Sequence, residues 1–305
     1  MKNKIVASLI AHRIEFTPVT IAITLSFMVI NIESIEELFS LPAILTFIMV
    51  NIATYWGSIY NVYYDYELDK KNNVKKRLSD AIDKTGPGLL RFYLFSEPII
   101  FLLLGFWISR LIENYTPLLL LLIGTFFTIA YSKEPLRFKR RGVLNSISLF
   151  LIIMFLPPLY GYFVMNNSAL AIADIILILG MAFVEYGLGL YYTTVDYSED
   201  KLDNIITPSV KLGVTKSVIV SLYLIALGIL FYFVGYTNRI DFSYISLTIA
   251  VLGAFVPFIW IIIYLIKGKN DNQLEEIIKH NESYIPAWVA ISAFAVLIAN
   301  LIHLF

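Results

Sequence analysis

One stretch combines residue types and a spacing that could do chemistry: Asn61-Val62-Tyr63-Tyr64-Asp65-Tyr66-Glu67-Leu68-Asp69. Residues four apart on an α-helix share a face and lie about 6 Å apart along the axis. Asn61, Asp65 and Asp69 therefore form one oxygen-rich stripe. A second stretch, Asp196-Tyr197-Ser198-Glu199-Asp200, nearly repeats the first, again as Asp-Tyr-x-x-Asp. Hard divalent cations such as Mg²⁺ take carboxylate, water and phosphate oxygens. Carboxylates cannot grip a diphosphate directly, but they can through bridging metal ions, which also stabilise the charge on a departing diphosphate. Asp65 and Asp69 are thus expected to hold one Mg²⁺ and Asp196 and Asp200 another, with Asn61 adding a neutral oxygen one turn away. Arg77, Arg137 and Lys139 are the candidate direct phosphate contacts, arginine being suited to bidentate binding. Were diphosphate to leave an allylic carbon, the cation would need aromatic faces and exclusion of water, although residue types and spacing by themselves reach only a membrane site for a polyanion. Tyr60, Tyr63, Tyr64, Tyr131, Tyr191 and Tyr192 stand near the two acidic stretches.

The elements that must position these residues are membrane helices. The chain has 305 residues, 58% of them hydrophobic and only 15% charged, with a mean hydropathy of +0.75. A soluble domain is nearer a quarter charged. Nine apolar stretches approach the length of a span: 14–32, 42–64, 89–109, 116–131, 143–165, 170–195, 217–236, 244–266 and 284–304. The fourth is short, and Pro157-Pro158 should break or kink the fifth. No stretch alternates as a barrel strand would. The expected class is an all-α membrane protein, a nine-helix bundle around a central cavity, with residues 1–305 as one domain of two pseudo-repeated halves. No signal-peptide pattern precedes the first apolar run, so that span is expected to be retained.

Counting Arg91 with the second connection, all 23 Lys and Arg except Arg110 and Arg239 fall in the N-terminus or the even-numbered connections. This bias puts the N-terminus and both acidic stretches in the cytoplasm and the C-terminus outside, in a multi-pass cell-membrane protein. The formal net charge of zero gives no sign of nucleic-acid binding, and cysteine is absent, which excludes thiolate sites. His12, His280 and His303 are scattered. The basic run from Lys70 to Arg77 and Arg140-Arg141 read mainly as topology signals, with Arg77 assigned to the site. Glu15 and Glu97 read as interfacial, Asp203 as solvent-facing, and Glu185, inside the sixth span, as a structural or functional intramembrane acid. The eighth connection, Lys267 to Ser283, is polar and mixed in charge, with no chemistry of its own.

The pattern Asn61-x-x-x-Asp65-x-x-x-Asp69 resembles the first aspartate-rich motif of the UbiA superfamily of intramembrane prenyltransferases, and Asp196-x-x-x-Asp200 the second. Tyr131-Ser132-x-x-Pro135-x-Arg137-x-Lys139-x-x-Gly142 is similar to that family's fourth connection. Thr207-Pro208 and Lys211-Leu212-Gly213 fall where the family has Thr-Pro and Leu-Gly. One departure is Arg77-Leu78, where many members have Arg-Pro. The resemblance covers essentially the whole chain. It implies a Mg²⁺-dependent enzyme that joins the prenyl group of a polyprenyl diphosphate to a hydrophobic, often aromatic, acceptor within membrane lipid. Asn61 and the aspartates carry over as metal–diphosphate residues, Arg77, Arg137 and Lys139 as diphosphate contacts, and Tyr131 and Ser132 as cavity lining. The alternative is a cation-coupled secondary transporter using the acidic pairs as ion sites.

Overall fold

A computed structural model describes residues 2–71, 76–166, 169–202 and 205–305. Its regular elements among these residues are all helices, joined by turns. In chain order the helices are α1 (Lys2–Ala11), α2 (Thr17–Met28), α3 (Leu41–Asp69), α4 (Lys76–Thr85), α5 (Pro87–Leu111), α6 (Thr116–Ser132), α7 (Val143–Leu149), α8 (Leu156–Met165), α9 (Ile172–Thr193), α10 (Tyr197–Leu202), α11 (Pro208–Leu212), α12 (Val214–Thr237), α13 (Tyr244–Lys267), α14 (Asp271–His280) and α15 (Ile285–Leu301).

Among the described residues, seven helical stretches are long and apolar enough to cross a membrane: Leu41–Asp69, Pro87–Leu111, Val143–Met165, Ile172–Leu202, Val214–Thr237, Tyr244–Lys267 and Glu282–Leu304. The first expected span differs. It is a pair, Lys4–Ala11 and Ile14–Met28, bent by 55° where Arg13 takes the left-handed backbone (φ 53). The fourth, Thr116–Ser132, has 17 residues, less than the roughly 20 a bilayer core asks for. The nine expected stretches thus correspond to seven full-length spans, one bent pair and one short helix. Apolar side chains face outward as well as inward. On α5, Phe92, Phe95, Ile99 and Leu103 form an exposed stripe at helical spacing, a surface suited to lipid.

Prolines inside spans free a carbonyl four residues earlier, and here the bundle answers them. Pro98 leaves Leu94 without its helical donor, and the Trp56 indole N–H on α3 donates to the Leu94 carbonyl at 3.2 Å. Before Pro157-Pro158 the chain passes through a π-helical stretch, Phe150–Phe155, so the fifth span is α7 and α8 joined by widened turns. The tightest packing is between α9 and α12. Gly180 and Gly187 on one helix meet Gly228, Ser221 and Ile225 on the other. A Cβ on Gly228 would lie 2.6 Å from the Gly180 carbonyl oxygen.

The main core is built from α2, α8, α9, α12, α13, α14 and α15, and a second one from α3, α5 and α8. At the end of the bundle away from the acidic stretches, Arg239 ties three helix ends together. It bonds Asp174, Asp241 (2.8 Å from both Nε and Nη2), the Ile30 carbonyl (2.9 Å) and Asn31. One of the two cations on the poorly charged side is therefore a structural fastener. Glu97 and Glu15 likewise have specific partners, His12 at 3.0 Å and Arg77 at 3.1 Å.

Candidate active site

The first acidic stretch is the end of the unbroken 29-residue helix α3, so Asn61, Asp65 and Asp69 keep the shared face their spacing requires. Asp65 and Asp69 are buried, and Asn61 is half-buried. Both oxygens of Asp65 are occupied by cations from the fourth connection. Lys139 Nζ donates to Oδ2 and Arg137 Nη2 to Oδ1 at 3.4 Å. Backbone geometry brings them there: Arg137 adopts a left-handed conformation (φ 33) that opens the 3₁₀ turn Phe138–Arg140. Such a backbone is costly for a non-glycine residue and is found where surroundings hold it. Asn145 helps, its Nδ2 donating to the Lys139 carbonyl at 2.8 Å.

The second stretch is built differently. Helix α9 ends at Thr193, a 3₁₀ turn carries Asp196, and the six-residue α10 carries Asp200, which is buried. Asp196 and Asp200 thus stand on one helical stretch, Ile172–Leu202, that tightens to a 3₁₀ turn at Thr194–Asp196, whereas the first pair lies on regular α-helix. Burial alone would push the Lys139 ammonium down, but Asp65, then Asp69 and Asp200, hold its pKa above the ordinary lysine value. Residues from both acidic stretches thus act on one ammonium. The connections themselves touch, since the Gly142 N–H donates to the Ile206 carbonyl at 3.1 Å.

Ser132 ends α6, buried, with no hydrogen-bond partner for its hydroxyl among the described residues, and Tyr131 beside it is half-buried. Arg77 is not brought to this cluster: its side chain is 66% exposed and paired with Glu15. Residues 72–75 of the basic run, and Asp203, lie outside the described residues. Glu185 is fully buried on α9, and neither carboxyl oxygen has a hydrogen-bond partner among the described residues. It lies eleven residues before Asp196, about 16 Å along a helix, and is no part of the cluster.

Beneath the acids, on the same faces of α3 and α6, lies an apolar cavity of about 100 Å³. Val50, Thr54, Gly124, Thr128 and Tyr160 are among its walls. Trp56, Tyr60 and Tyr64 form an aromatic ladder up α3 toward Asp65, with ring centroids 4.9 and 4.8 Å apart.

The donor set is carboxylate and amide oxygen, with no histidine or thiol, which suits Mg²⁺ chemically. Among the described residues, no three acidic or histidine side chains are gathered closely enough to hold an ion. The positive charge balancing Asp65 comes from Lys139 and Arg137.

The eighth connection forms α14, whose Glu275 and Asp271 bond α10 and α12. The signal in the sequence was the four-residue spacing Asp271, Glu275, Lys279, one face of a helix.

The sequence matches the UbiA prenyltransferase family over residues 19–281. The structure is similar to that of a UbiA homologue from Archaeoglobus fulgidus bound to GPP and Mg²⁺, with TM-score 0.66 and 16% identity over 95% of this chain and 99% of that one. The same homologue bound to DMAPP and Mg²⁺ aligns with TM-score 0.64 and 16% identity, over 95% of this chain and 98% of that one. A digeranylgeranylglyceryl phosphate synthase structure aligns with TM-score 0.67 and 19% identity, covering 99% of both chains. These likenesses are of fold. No curated protein matches the sequence.

Proposed function

The chain belongs to the UbiA prenyltransferase family, and from that membership we propose that it ionises a polyprenyl diphosphate and transfers the prenyl group to a lipophilic aromatic or polyene acceptor. The observation that carries this reading is the convergence on Lys139. A cation supplied by the fourth connection is bonded by Asp65 and acted on by Asp69 and Asp200. Anionic groups from both halves, balanced by Lys139 and Arg137, suit a polyanion bound through metal.

Asp65 and Asp69 would hold one Mg²⁺, and Asp196 and Asp200 another, with Asn61 lending an oxygen. When bound, Mg²⁺ neutralises the charge that builds on a leaving diphosphate. Lys139 and Arg137 exchange Asp65 for phosphate oxygens, the guanidinium in bidentate fashion. The carbon–oxygen bond of the donor breaks and its electron pair leaves with the diphosphate. The Trp56–Tyr60–Tyr64 ladder turns aromatic faces to the allylic cation. The apolar cavity takes hydrocarbon and excludes water. Tyr131 and Ser132, at the end of α6 above the cavity wall residue Thr128, would meet the donor between diphosphate and hydrocarbon. An electron pair from the acceptor forms the new bond, and the acceptor then loses a proton.

The test is Mg²⁺-dependent release of diphosphate from a labelled prenyl donor by the purified protein, with products identified by mass spectrometry. Asp65→Ala and Asp196→Ala are each expected to lower turnover by about a thousandfold or more while the protein still inserts. Near-normal turnover in either variant overturns the scheme. A transport site sits near the bilayer midplane, whereas Asp69 closes α3. Substrate flux without product would nevertheless favour transport.

A further inference from the structure

Helix α14 presents Asp271, Glu275 and Lys279 along one face, and each works on a neighbour. Asp271 accepts from the backbone N–H groups of Val214 (3.3 Å) and Thr215 (3.0 Å) and from the Thr215 hydroxyl. It thereby caps the first turn of α12 from outside that helix. Glu275 does the same for α10. Its Oε1 accepts the Ser198 N–H at 3.2 Å and its Oε2 the Ser198 hydroxyl at 2.7 Å. Ser198 lies midway between Asp196 and Asp200. Glu275 is buried, 5% exposed, and is balanced by Lys279, whose Nζ is 2.8 Å from Oε1. Burial works against the Lys279 ammonium. Glu275, then Glu199 and Asp196, hold its pKa above the ordinary lysine value.

The two acidic stretches differ in what holds them. Asp65 and Asp69 are part of a 29-residue helix. Asp200 belongs to a helix of six residues that follows a 3₁₀ turn. The 3₁₀ turn interrupts the α-helical hydrogen-bond ladder that runs from α9 into α10, and the N–H groups just after it need acceptors. Glu275 supplies one from another element, four residues along α14 from the acid that holds α12. One face of α14 thus fastens both ends of the sixth connection.

We propose that α14 is a positioning element of the active site and Glu275 its positioning residue, holding the Asp196–Asp200 turn against the Asp65–Asp69 pair. This rests on reading the two pairs as the metal–diphosphate site. Glu275 acts through Ser198 and touches no substrate.

The experiment compares full-length Glu275→Ala, Glu275→Gln, Ser198→Ala and Ile278→Ala in detergent. Ile278 is a fully buried residue of the same helix and controls for loosening of α14. Three quantities are read: the Mg²⁺ concentration for half-maximal turnover, the Mg²⁺-induced rise in melting temperature without donor, and amide exchange in residues 194–202. Glu275→Ala is expected to raise the half-maximal Mg²⁺ concentration roughly tenfold, to shrink the Mg²⁺-induced melting shift and to speed exchange in the turn. Glu275→Gln restores most of each, because its carbonyl oxygen still accepts from Ser198. Ser198→Ala, which keeps the N–H bond, falls between. Ile278→Ala lowers the melting temperature without changing the Mg²⁺ requirement. Wild-type Mg²⁺ dependence and exchange in Glu275→Ala overturn the proposal, as does an Ile278→Ala variant that matches it. If Asp65→Ala retains Mg²⁺-dependent turnover, the site reading fails instead. If Asp65→Ala is inactive while Glu275→Ala is normal in all three readouts, only the α14 proposal falls.

Discussion

Lys139 is bonded to the buried Asp65, so its charge is the most informative one to remove. Lys139→Met leaves Asp65 with only the longer Arg137 contact of 3.4 Å and removes the ammonium on which Asp69 and Asp200 act. A loss of about a hundredfold or more in kcat/KM for the prenyl diphosphate is expected, since buried charge aimed at a transferring group carries effects of that size. Steady-state kinetics on the purified variant check this. Asp271 makes a separate prediction about pH. The Thr215 hydroxyl, against some desolvation and with the Thr215 and Val214 N–H groups, holds its carboxyl below the ordinary aspartate value. A depressed carboxylate contributes stability that is complete above the unfolded-chain pKa of about 3.9. That stability is lost as pH falls through the lower folded value. Melting temperature should therefore drop in acid below about pH 4 in the native protein. Asp271→Asn should lower it at neutral pH and remove that part of the acid dependence, read by thermal unfolding from pH 3 to 7.

At the scale of elements, helix contacts stand in for what prolines and glycines take away. Trp56 supplies the donor that Pro98 denies to Leu94. Trp56→Phe should cost about 0.5–1 kcal/mol, and less in a Pro98→Ala background, where the helix supplies its own N–H to that carbonyl. A double-mutant cycle by unfolding in detergent measures the difference. Gly228 is a stricter case. Its position 2.6 Å from the Gly180 carbonyl oxygen leaves no room for a side chain. Gly228→Leu should separate α9 from α12 and displace the turn that α9 delivers. The expected outcome is loss of the monodisperse peak in size-exclusion chromatography.

For the whole molecule, the prediction is orientation. The absence of cysteine allows single cysteines to be introduced without background. Lys133 and Asn238 are both exposed, at opposite ends of the bundle. A membrane-impermeant maleimide applied to intact cells should label Asn238→Cys and spare Lys133→Cys until the membrane is opened. The reverse pattern would put the acidic site outside.

The bundle was legible in the chain itself, and so was the shared face of the first acidic stretch. Apolar runs of bilayer length can bury their backbone only as helices, and Asn61, Asp65 and Asp69 could share a face only on one. The fourth connection, with Arg137 and Lys139, was likewise marked by residue type and order. What the chain alone did not reveal depended on contacts between distant segments. Asp196 and Asp200 have the spacing of the first pair, yet a 3₁₀ turn precedes Tyr197, and Glu275, 77 residues after Ser198, holds Ser198 between them. Arg77 has the charge for the site, but Glu15, 62 residues earlier, engages it. Periodicity records which face of a helix a residue occupies. Which element packs against that face, and so which cation meets which carboxylate, is decided by the fold that brings remote helices together.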